Sequence, residues 1–246
     1  MLGLALAAAL PGCKDDPAEA HRLKGNELFK KEQWAQAAQE YRLSLQADPN
    51  QEKLWDRVAL AHVRAGQTDQ AAKALLETLR FKPDPQKKAE VYRNIAGMLL
   101  QGPKPVEAEQ YFVEAAKLDP KDDSSLLWLA EMESHRGGAR NMQAPPVREH
   151  LDKAITYYDQ VIAAKPESLI AYVNKRIALL KLLNEEKKQK QTDDAVVAAY
   201  RKDPQKRQEA LARAAEHQAR VDELQAKVDE LSGKITELQK KGVKFK

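Results

Sequence analysis

Apolar residues recur three or four positions apart along most of the chain, which is the periodicity of amphipathic helices. The pattern is interrupted where a proline follows Asp or Lys, at Pro49, Pro83, Pro120, Pro166 and Pro204. Proline cannot continue a helix and restricts the residue before it, so each of these positions predicts a turn. The intervals between them are 34, 37, 46 and 38 residues. A period near 34 predicts a stack of helical hairpins.

Small and large residues alternate at fixed offsets within these units, which indicates that two helices cross closely in each. In the first unit, residues 18–51, Gly25 and Ala37 stand where the helices would cross. Trp34 and Tyr41 would fill the space around that crossing. The second unit repeats the offsets with Trp55, Ala59, Gly66, Ala71 and Leu75. The third repeats them with Tyr92, Ala96, Leu99, Ala108, Phe112 and Ala115.

These residues resemble the tetratricopeptide repeat, a unit of two antiparallel helices. The resemblance covers residues 18–204 as about five repeats. An insertion at 139–150 interrupts the fourth, and we interpret it either as a partner contact or as a solvated loop. The fifth, residues 169–204, is degenerate because Arg176 and Thr192 stand where small residues belong. The expected fold class is all-α: a tetratricopeptide-repeat superhelical solenoid of helical hairpins, followed by a long C-terminal helix or coiled coil.

The first helices of such repeats line a concave groove, which in this family usually holds a peptide or helix of another protein. The repeat offsets place ten residues in that groove: Arg22, Asn26, Phe29, Asp56, Leu60, Val63, Arg93, Leu100, Leu127 and Glu131. Mixed charges and apolar side chains suit an amphipathic helix or an extended peptide with apolar anchors. For each apolar position, packing against the adjoining helix is the alternative role. The resemblance thus implies a protein partner.

A heptad pattern occupies the C-terminal segment, residues 205–246. Its apolar residues follow spacings of three and four at Val221, Leu224, Val228, Leu231, Ile235 and Leu238. This spacing is the seam of a coiled coil, and Val or Ile alternating with Leu favours two strands. One hypothesis is therefore a homodimer formed through this helix. The other is that the helix folds back and caps the solenoid, with a basic tail after it.

The first ten residues are apolar and uncharged. This run is too short to span a bilayer, but it has the length of the apolar region of an export signal. The run ends at Leu10 and is followed closely by Gly12 and Cys13. These three residues resemble the lipobox of bacterial lipoproteins, in which the cysteine is lipidated. Pro11 departs from that motif.

The lipobox resemblance predicts three features of the N-terminal region. Residues 1–12 would be a lipoprotein-type signal segment, Cys13 would carry the lipid, and residues 13–17 would be a short linker. The implied location is the bacterial cell envelope, with the protein facing the periplasm or the cell surface. Lys14 follows the cysteine where an aspartate would indicate inner-membrane retention, which favours the outer membrane.

Composition supports the helical prediction and restricts the chemistry. The chain is 43% hydrophobic and 32% charged, and strong helix formers dominate it. A net charge of +4 indicates no nucleic-acid partner. The single cysteine excludes an internal disulfide, and the five histidines lack metal-ligand spacing. Without a phosphate-binding loop, an acid pair or a nucleophile elbow, we expect no enzyme, cofactor or metal.

Three functional hypotheses remain. The first is a lipid-anchored periplasmic scaffold that assembles or stabilises an envelope complex, such as a secretion, pilus or motility machinery. The alternative is a soluble cytoplasmic adaptor that oligomerises through its C-terminal coiled coil. The third is a structural coiled-coil organiser whose repeats only display the terminal helix.

Overall fold

Helices form the regular structure of the protein in the computed structural model, which describes residues 16–102 and 105–245. Ten α-helices and two short 3₁₀ helices occur in these ranges, and no strand does. The α-helices are α1 (Pro17–Lys30), α2 (Trp34–Ala47), α3 (Glu52–Arg64), α4 (Thr68–Thr78), α5 (Pro85–Gln101), α6 (Ala108–Leu118), α7 (Asp123–Arg136), α8 (Arg148–Ala164), α9 (Leu169–Ala199) and α10 (Pro204–Lys240). The 3₁₀ helices are Leu79–Phe81 and Pro105–Glu107. The all-α prediction is confirmed.

The periodic prolines lie outside helix interiors, as the sequence predicts. Four of them fall in the turns between helices: Pro49, Pro83, Pro120 and Pro166. Pro204 instead begins α10, where its missing N–H costs nothing because the first N–H groups of a helix have no partner within the helix. Asp203 caps this helix, since its side chain accepts a hydrogen bond from the backbone N–H of Lys206 at 3.1 Å.

The chain forms two compact units that divide after Tyr111. In unit 1, α1 pairs with α2 and α3 pairs with α4, while α2 packs on α3 and α4 contacts α5. Unit 1 therefore holds two complete hairpins and the first helix of a third. Its buried core includes Ala37, Tyr41, Leu45, Leu54, Val58, Ala59 and Ala74.

The crossing of α1 and α2 depends on a glycine, as the sequence predicts. A Cβ atom built on Gly25 would lie 2.5 Å from the ring of Tyr41, which is fully buried. Near the other end of the pair, the Ser44 hydroxyl donates a hydrogen bond to the carbonyl of Ala18 at 2.6 Å. The small residue lets the helices approach closely, and the serine adds a polar link between them.

In unit 2, α7 pairs with α8, α8 packs on α9, and α9 pairs with α10. Gly137 permits the turn after α7, because a Cβ there would lie 2.5 Å from the side chain of Leu151. One core between α7, α8 and α9 contains Leu126, Ala130, Ala154, Tyr158, Val161 and Ala171. A second core joins α9 to α10.

The fifth repeat differs from the prediction. The sequence pattern predicted a short hairpin within residues 169–204, but α9 runs without a break from Leu169 to Ala199. This stretch contains neither glycine nor proline and is rich in strong helix formers, so nothing within it ends the helix. The second helix of this last hairpin is α10 instead.

The heptad seam of α10 packs against α9 of the same chain. All six predicted seam residues are buried in the core shared with α9: Val221, Leu224, Val228, Leu231, Ile235 and Leu238. The two helices run antiparallel, since Arg176 donates to Ser232, Lys187 to Gln225 and Arg213 to Asp193. The seam that the homodimer hypothesis assigned to a second chain is therefore occupied within one chain, as the capping hypothesis expects.

The insertion at 139–150 is tied to unit 2 by a buried lysine. Lys181 of α9 is almost fully buried, and its Nζ donates hydrogen bonds to the carbonyls of Asn141, at 2.6 Å, and Ala144. A buried ammonium needs such partners, because burial without them is costly. The last residues of the insertion, from Arg148, already belong to α8.

The predicted signal segment at 1–12 and Cys13 lie outside the described residues. Among the helices that the structure does describe, none is both long enough and apolar enough to cross a bilayer.

Candidate partner-binding surfaces

The predicted groove residues fall into two sets. Eight lie on α1, α3 and α5 of unit 1, and the other two, Leu127 and Glu131, lie on α7 of unit 2.

On α1, the predicted groove residues already contact other side chains. Asn26 Oδ1 accepts hydrogen bonds from Tyr41 Oη of α2 and Arg57 Nη1 of α3, both at 3.0 Å. Phe29 packs edge-on against Trp34, with ring centroids 4.7 Å apart. Arg22 forms an ion pair with Glu19 one turn earlier. Phe29 thus has the packing role that the sequence left open for the apolar positions, and Asn26 has a structural role that was not predicted.

On α3, two of the three groove positions are apolar and open to solvent. Leu60 and Val63, one turn apart on the same side of the helix, are each 45% exposed. Asp56 lies one turn before Leu60, and partial burial raises the pKa of its carboxyl group, against the opposing effect of Lys82. A leucine and a valine side by side on one face form a small apolar surface that no other part of the described chain covers.

On α5, the surface beside Gly97 is open. A Cβ atom built on Gly97 would meet no heavy atom within 4 Å, so packing within the chain does not require a glycine there. Leu100, one turn later, and Arg93, one turn earlier, are half-buried. Glycine in a helix interior lowers stability by about 1 kcal/mol relative to alanine. The open space beside Gly97 is compatible with close approach of a partner segment to this helix.

On α7, Glu131 is committed to contacts within unit 2. Its carboxylate accepts hydrogen bonds from Tyr158 at 3.3 Å, from Arg140 of the insertion at 2.9 Å, and from Asn174 of α9. Burial and the nearby Glu131 charge raise the pKa of Tyr158, so its hydroxyl stays protonated and able to donate. Glu131 therefore links three segments of unit 2, and this structural role is one that its helical position alone did not predict.

Leu127 lines an open cleft of about 530 Å³ in unit 2. The other apolar contributors are Leu169 and Ile170 at the start of α9 and Val243 after α10. Lys165 and Asp123 form an ion pair of 3.1 Å at this cleft. Of the two α7 positions predicted for the groove, Leu127 is the one that faces an open volume.

The sequence analysis missed Val243 as part of this cleft. The backbone N–H of Val243 donates to the carbonyl of Leu238 at 3.1 Å, and Gly242 has a φ of 77°. This arrangement ends helices whose last residues are followed by a glycine in the left-handed conformation. The glycine-then-valine pattern after the heptads was the available signal, and it fixes Val243 against the α9–α10 core.

Within the described residues, no group of three or more His, Cys, Asp or Glu side chains is placed to hold a metal ion. The ionisable side chains instead pair between helices. His217 of α10 contacts the buried Glu186 of α9 at 2.6 Å, and Arg213 contacts Asp193 at 2.9 Å. These pairs join the last two helices, so they do not form a separate chemical site.

Comparison with known proteins identifies the repeat. Residues 59–123 match the tetratricopeptide repeat family. No curated protein matches the chain. A solved TPR repeats protein (BF2334) from Bacteroides fragilis is 13% identical, with a TM-score of 0.57 over 91% of this chain and 98% of that one. At this identity, the similarity shows the fold alone.

Two further solved structures have lower TM-scores. MamA is 17% identical over 87% of this chain and 95% of its own, with a TM-score of 0.45. YrrB, described as a TPR protein with an unusual peptide-binding site, is 16% identical over 84% of this chain and 89% of its own, with a TM-score of 0.43.

The described residues therefore have the fold of a tetratricopeptide-repeat protein, and the match to the family itself covers residues 59–123. The predicted fold class, a tetratricopeptide-repeat solenoid of helical hairpins followed by a long helix, is confirmed. The lipoprotein assignment of the N-terminal region stays a prediction.

Proposed function

We propose that the protein is a non-enzymatic scaffold, held in the bacterial envelope by a lipid on Cys13, that binds a partner protein through its first helices. The tetratricopeptide-repeat fold supports the general role in protein–protein interaction. The observation that carries the proposal is the exposed apolar pair Leu60 and Val63 on α3. Side chains of this kind are the anchors that bind an amphipathic helix or peptide.

Partner binding is tested by replacing the apolar pair, Leu60 and Val63, with charged residues. In a Leu60→Glu/Val63→Glu variant, both side chains stay in solvent, so the fold is retained while an apolar partner surface is repelled. We expect a partner recovered with the parent chain from detergent-solubilised envelopes to be lost with this variant. Leu211→Glu is the matched control, because Leu211 is 47% exposed on α10, outside unit 1. Equal recovery with all three chains would reject this surface.

The anchoring half depends on the sequence, because Cys13 lies outside the described residues. Acyl chains contribute about 0.8 kcal/mol of membrane affinity per buried CH₂, so several chains would hold the protein firmly. We expect metabolic acyl labelling of the parent chain and none of a Cys13→Ser variant, which should also leave the membrane fraction. Labelling that persists in the variant, or is absent from the parent, would remove the lipid anchor and the envelope location from the proposal.

The alternative of a soluble adaptor that oligomerises through its C-terminal coiled coil has less support. Its proposed contact surface is the heptad seam, and α9 covers that seam within the same chain.

A further inference from the structure

The α9–α10 hairpin extends beyond the rest of unit 2. Arg148, the first residue of α8, forms an ion pair with Glu186 of α9. The start of α8 therefore lies beside Glu186. From there α9 continues to Ala199, a length of about 20 Å at the usual 1.5 Å per residue. Between residues 187 and 213, most side chains outside the α9–α10 contact are exposed. The end of the hairpin is therefore accessible from outside.

This end, which we call the tip and define as residues 200–207, carries a local excess of positive charge. The tip has four basic residues, Arg201, Lys202, Lys206 and Arg207, and one acidic residue, Asp203. It therefore carries a net charge of +3, while the whole chain of 246 residues carries only +4.

The acidic residue of the tip does not neutralise it. The Asp203 side chain caps α10 and lies 3.7 Å from Lys206 Nζ. Among the described residues, no carboxylate forms an ion pair with Arg201, Lys202 or Arg207. Three cations at one end of a hairpin thus face solvent, where they can meet an anionic surface.

An aromatic residue stands beside these cations. Tyr200 is 40% exposed, and Lys206 Nζ lies 5.1 Å from the centre of its ring. Tyrosine has an apolar ring with a polar end, which suits the boundary between lipid and water. A projecting, convex tip with cations and an exposed aromatic ring can touch a flat surface without any other part of unit 2 moving.

We propose that the tip, residues 200–207, docks on the anionic head groups of a lipid bilayer. A basic residue near an anionic membrane surface contributes about 1 kcal/mol, which corresponds to about a fivefold change in affinity. Four such residues give an attraction strong enough for reversible binding and sensitive to salt. This contact does not depend on Cys13 or on the surface around Leu60, so it goes beyond the proposed function.

The test uses the full chain with Cys13→Ser, so that no lipid anchor contributes. It is mixed with vesicles of phosphatidylcholine alone and of phosphatidylcholine with phosphatidylglycerol, and vesicle-bound protein is measured by sedimentation. We expect binding only to the vesicles with phosphatidylglycerol, and weaker binding as salt is raised. The variant Arg201→Gln/Lys202→Gln/Lys206→Gln/Arg207→Gln should bind about 600-fold more weakly, which is four successive fivefold losses. All four side chains are exposed, so its helical circular dichroism should match the parent.

The matched control replaces another exposed basic group, in Lys240→Gln/Lys241→Gln/Lys244→Gln, and should retain binding. The proposal is overturned if the tip variant binds as well as the parent, or if affinity falls with the control variant instead. It is also overturned if neither vesicle binds, and binding of duplex DNA at the same salt would then show that the tip recognises nucleic acid instead.

Discussion

Gly25 and Gly97 are both glycines in the middle of a helix, but their surroundings are opposite. A Cβ atom on Gly25 would collide with the buried ring of Tyr41, whereas one on Gly97 would meet no atom within 4 Å. Gly25 therefore belongs to the packing of α1 on α2. The structure of unit 1 alone does not require Gly97.

Replacing each glycine by alanine should therefore change stability in opposite directions. Gly25→Ala should lower the free energy of unfolding by about 1–3 kcal/mol, because overpacking a fixed core displaces the neighbouring side chain. Gly97→Ala should raise it by up to about 1 kcal/mol through helix propensity. Urea denaturation of the two variants and the parent measures both changes. Equal effects of the two substitutions would contradict the close crossing at Gly25.

Glu40 of α2 connects the first two helices through two partners on α1. Its carboxylate lies 2.7 Å from Lys24 Nζ and 2.7 Å from His21 Nδ1. The hydrogen bond from Lys24, followed by that from His21, lowers the pKa of Glu40. A carboxyl group whose pKa is lower in the folded state stabilises the fold as long as it is ionised.

Glu40→Gln should lower the stability of unit 1 at neutral pH by about 1 kcal/mol or less, because the Lys24 partner is exposed. The contribution of Glu40 is complete above the unfolded-state pKa of a glutamate, about 4.3, and is lost as pH falls through the lower folded-state pKa. The difference between parent and variant should therefore shrink in acid. Urea denaturation at pH 7 and at successively lower pH measures it, and a difference that is constant over this range would contradict the ion pairs.

Two roles were predicted for α10, a homodimer contact and a cap on the solenoid, and the position of α9 decides between them. Its heptad seam is compatible with a second chain or with a neighbouring helix. The four-residue turn between Ala199 and Pro204 reverses the chain and brings α9 beside α10. Intramolecular pairing costs no loss of translational freedom, so a partner helix already joined by a short turn competes well against a separate chain.

Leu231→Ala tests whether α10 pairs with α9 of the same chain or with a second chain. The side chain is buried in the α9–α10 core, so we expect a loss of about 2–4 kcal/mol in the free energy of unfolding. Leu211→Ala on the exposed side of the same helix should change it by less than about 0.5 kcal/mol. Light scattering should give the same mass for both variants as for the parent. A mass that falls for Leu231→Ala alone would instead indicate pairing between chains.

At the scale of the whole molecule, α10 is part of the core of unit 2. Buried residues of α9, including Leu179, Leu182 and Leu183, share one core with the seam of α10. Repeat arrays need a terminal element that covers the last apolar face and leaves a polar surface outside. α10 has this composition, with its apolar residues on one side and charged residues on the other.

A chain that ends at Asp203 should therefore leave the apolar side of α9 uncovered. We expect it to bind an apolar fluorescent dye strongly and to form aggregates, since large exposed apolar surfaces promote association. A chain that ends at Val243 is the control, because it keeps the whole of α10 and the contact of Val243 with the α9–α10 core. Dye fluorescence and light scattering make the comparison. If the chain that ends at Asp203 stays monodisperse without binding dye, α10 does not cap unit 2.

The candidate surface was predictable in part. Leu60 and Val63, which the repeat offsets assigned to the groove, are exposed on α3, and their shared side of the helix follows from helical periodicity. The same offsets could not show that Asn26 and Glu131 are engaged by other helices, since those contacts join residues far apart in the chain. Lys181 carries no sequence signal of burial, because its partners are backbone carbonyls of the insertion.

The sequence by itself determined the helices, the turns at the prolines and the repeat, because these follow from local periodicity and from residues that cannot continue a helix. It also determined that α10 has one apolar side. Only the tertiary structure decided that α9 runs unbroken and covers that side, that the insertion is held by Lys181, and that the basic tip projects from unit 2. Each of these depends on which distant segments meet, and burial of apolar surface between such segments is decided over the whole fold.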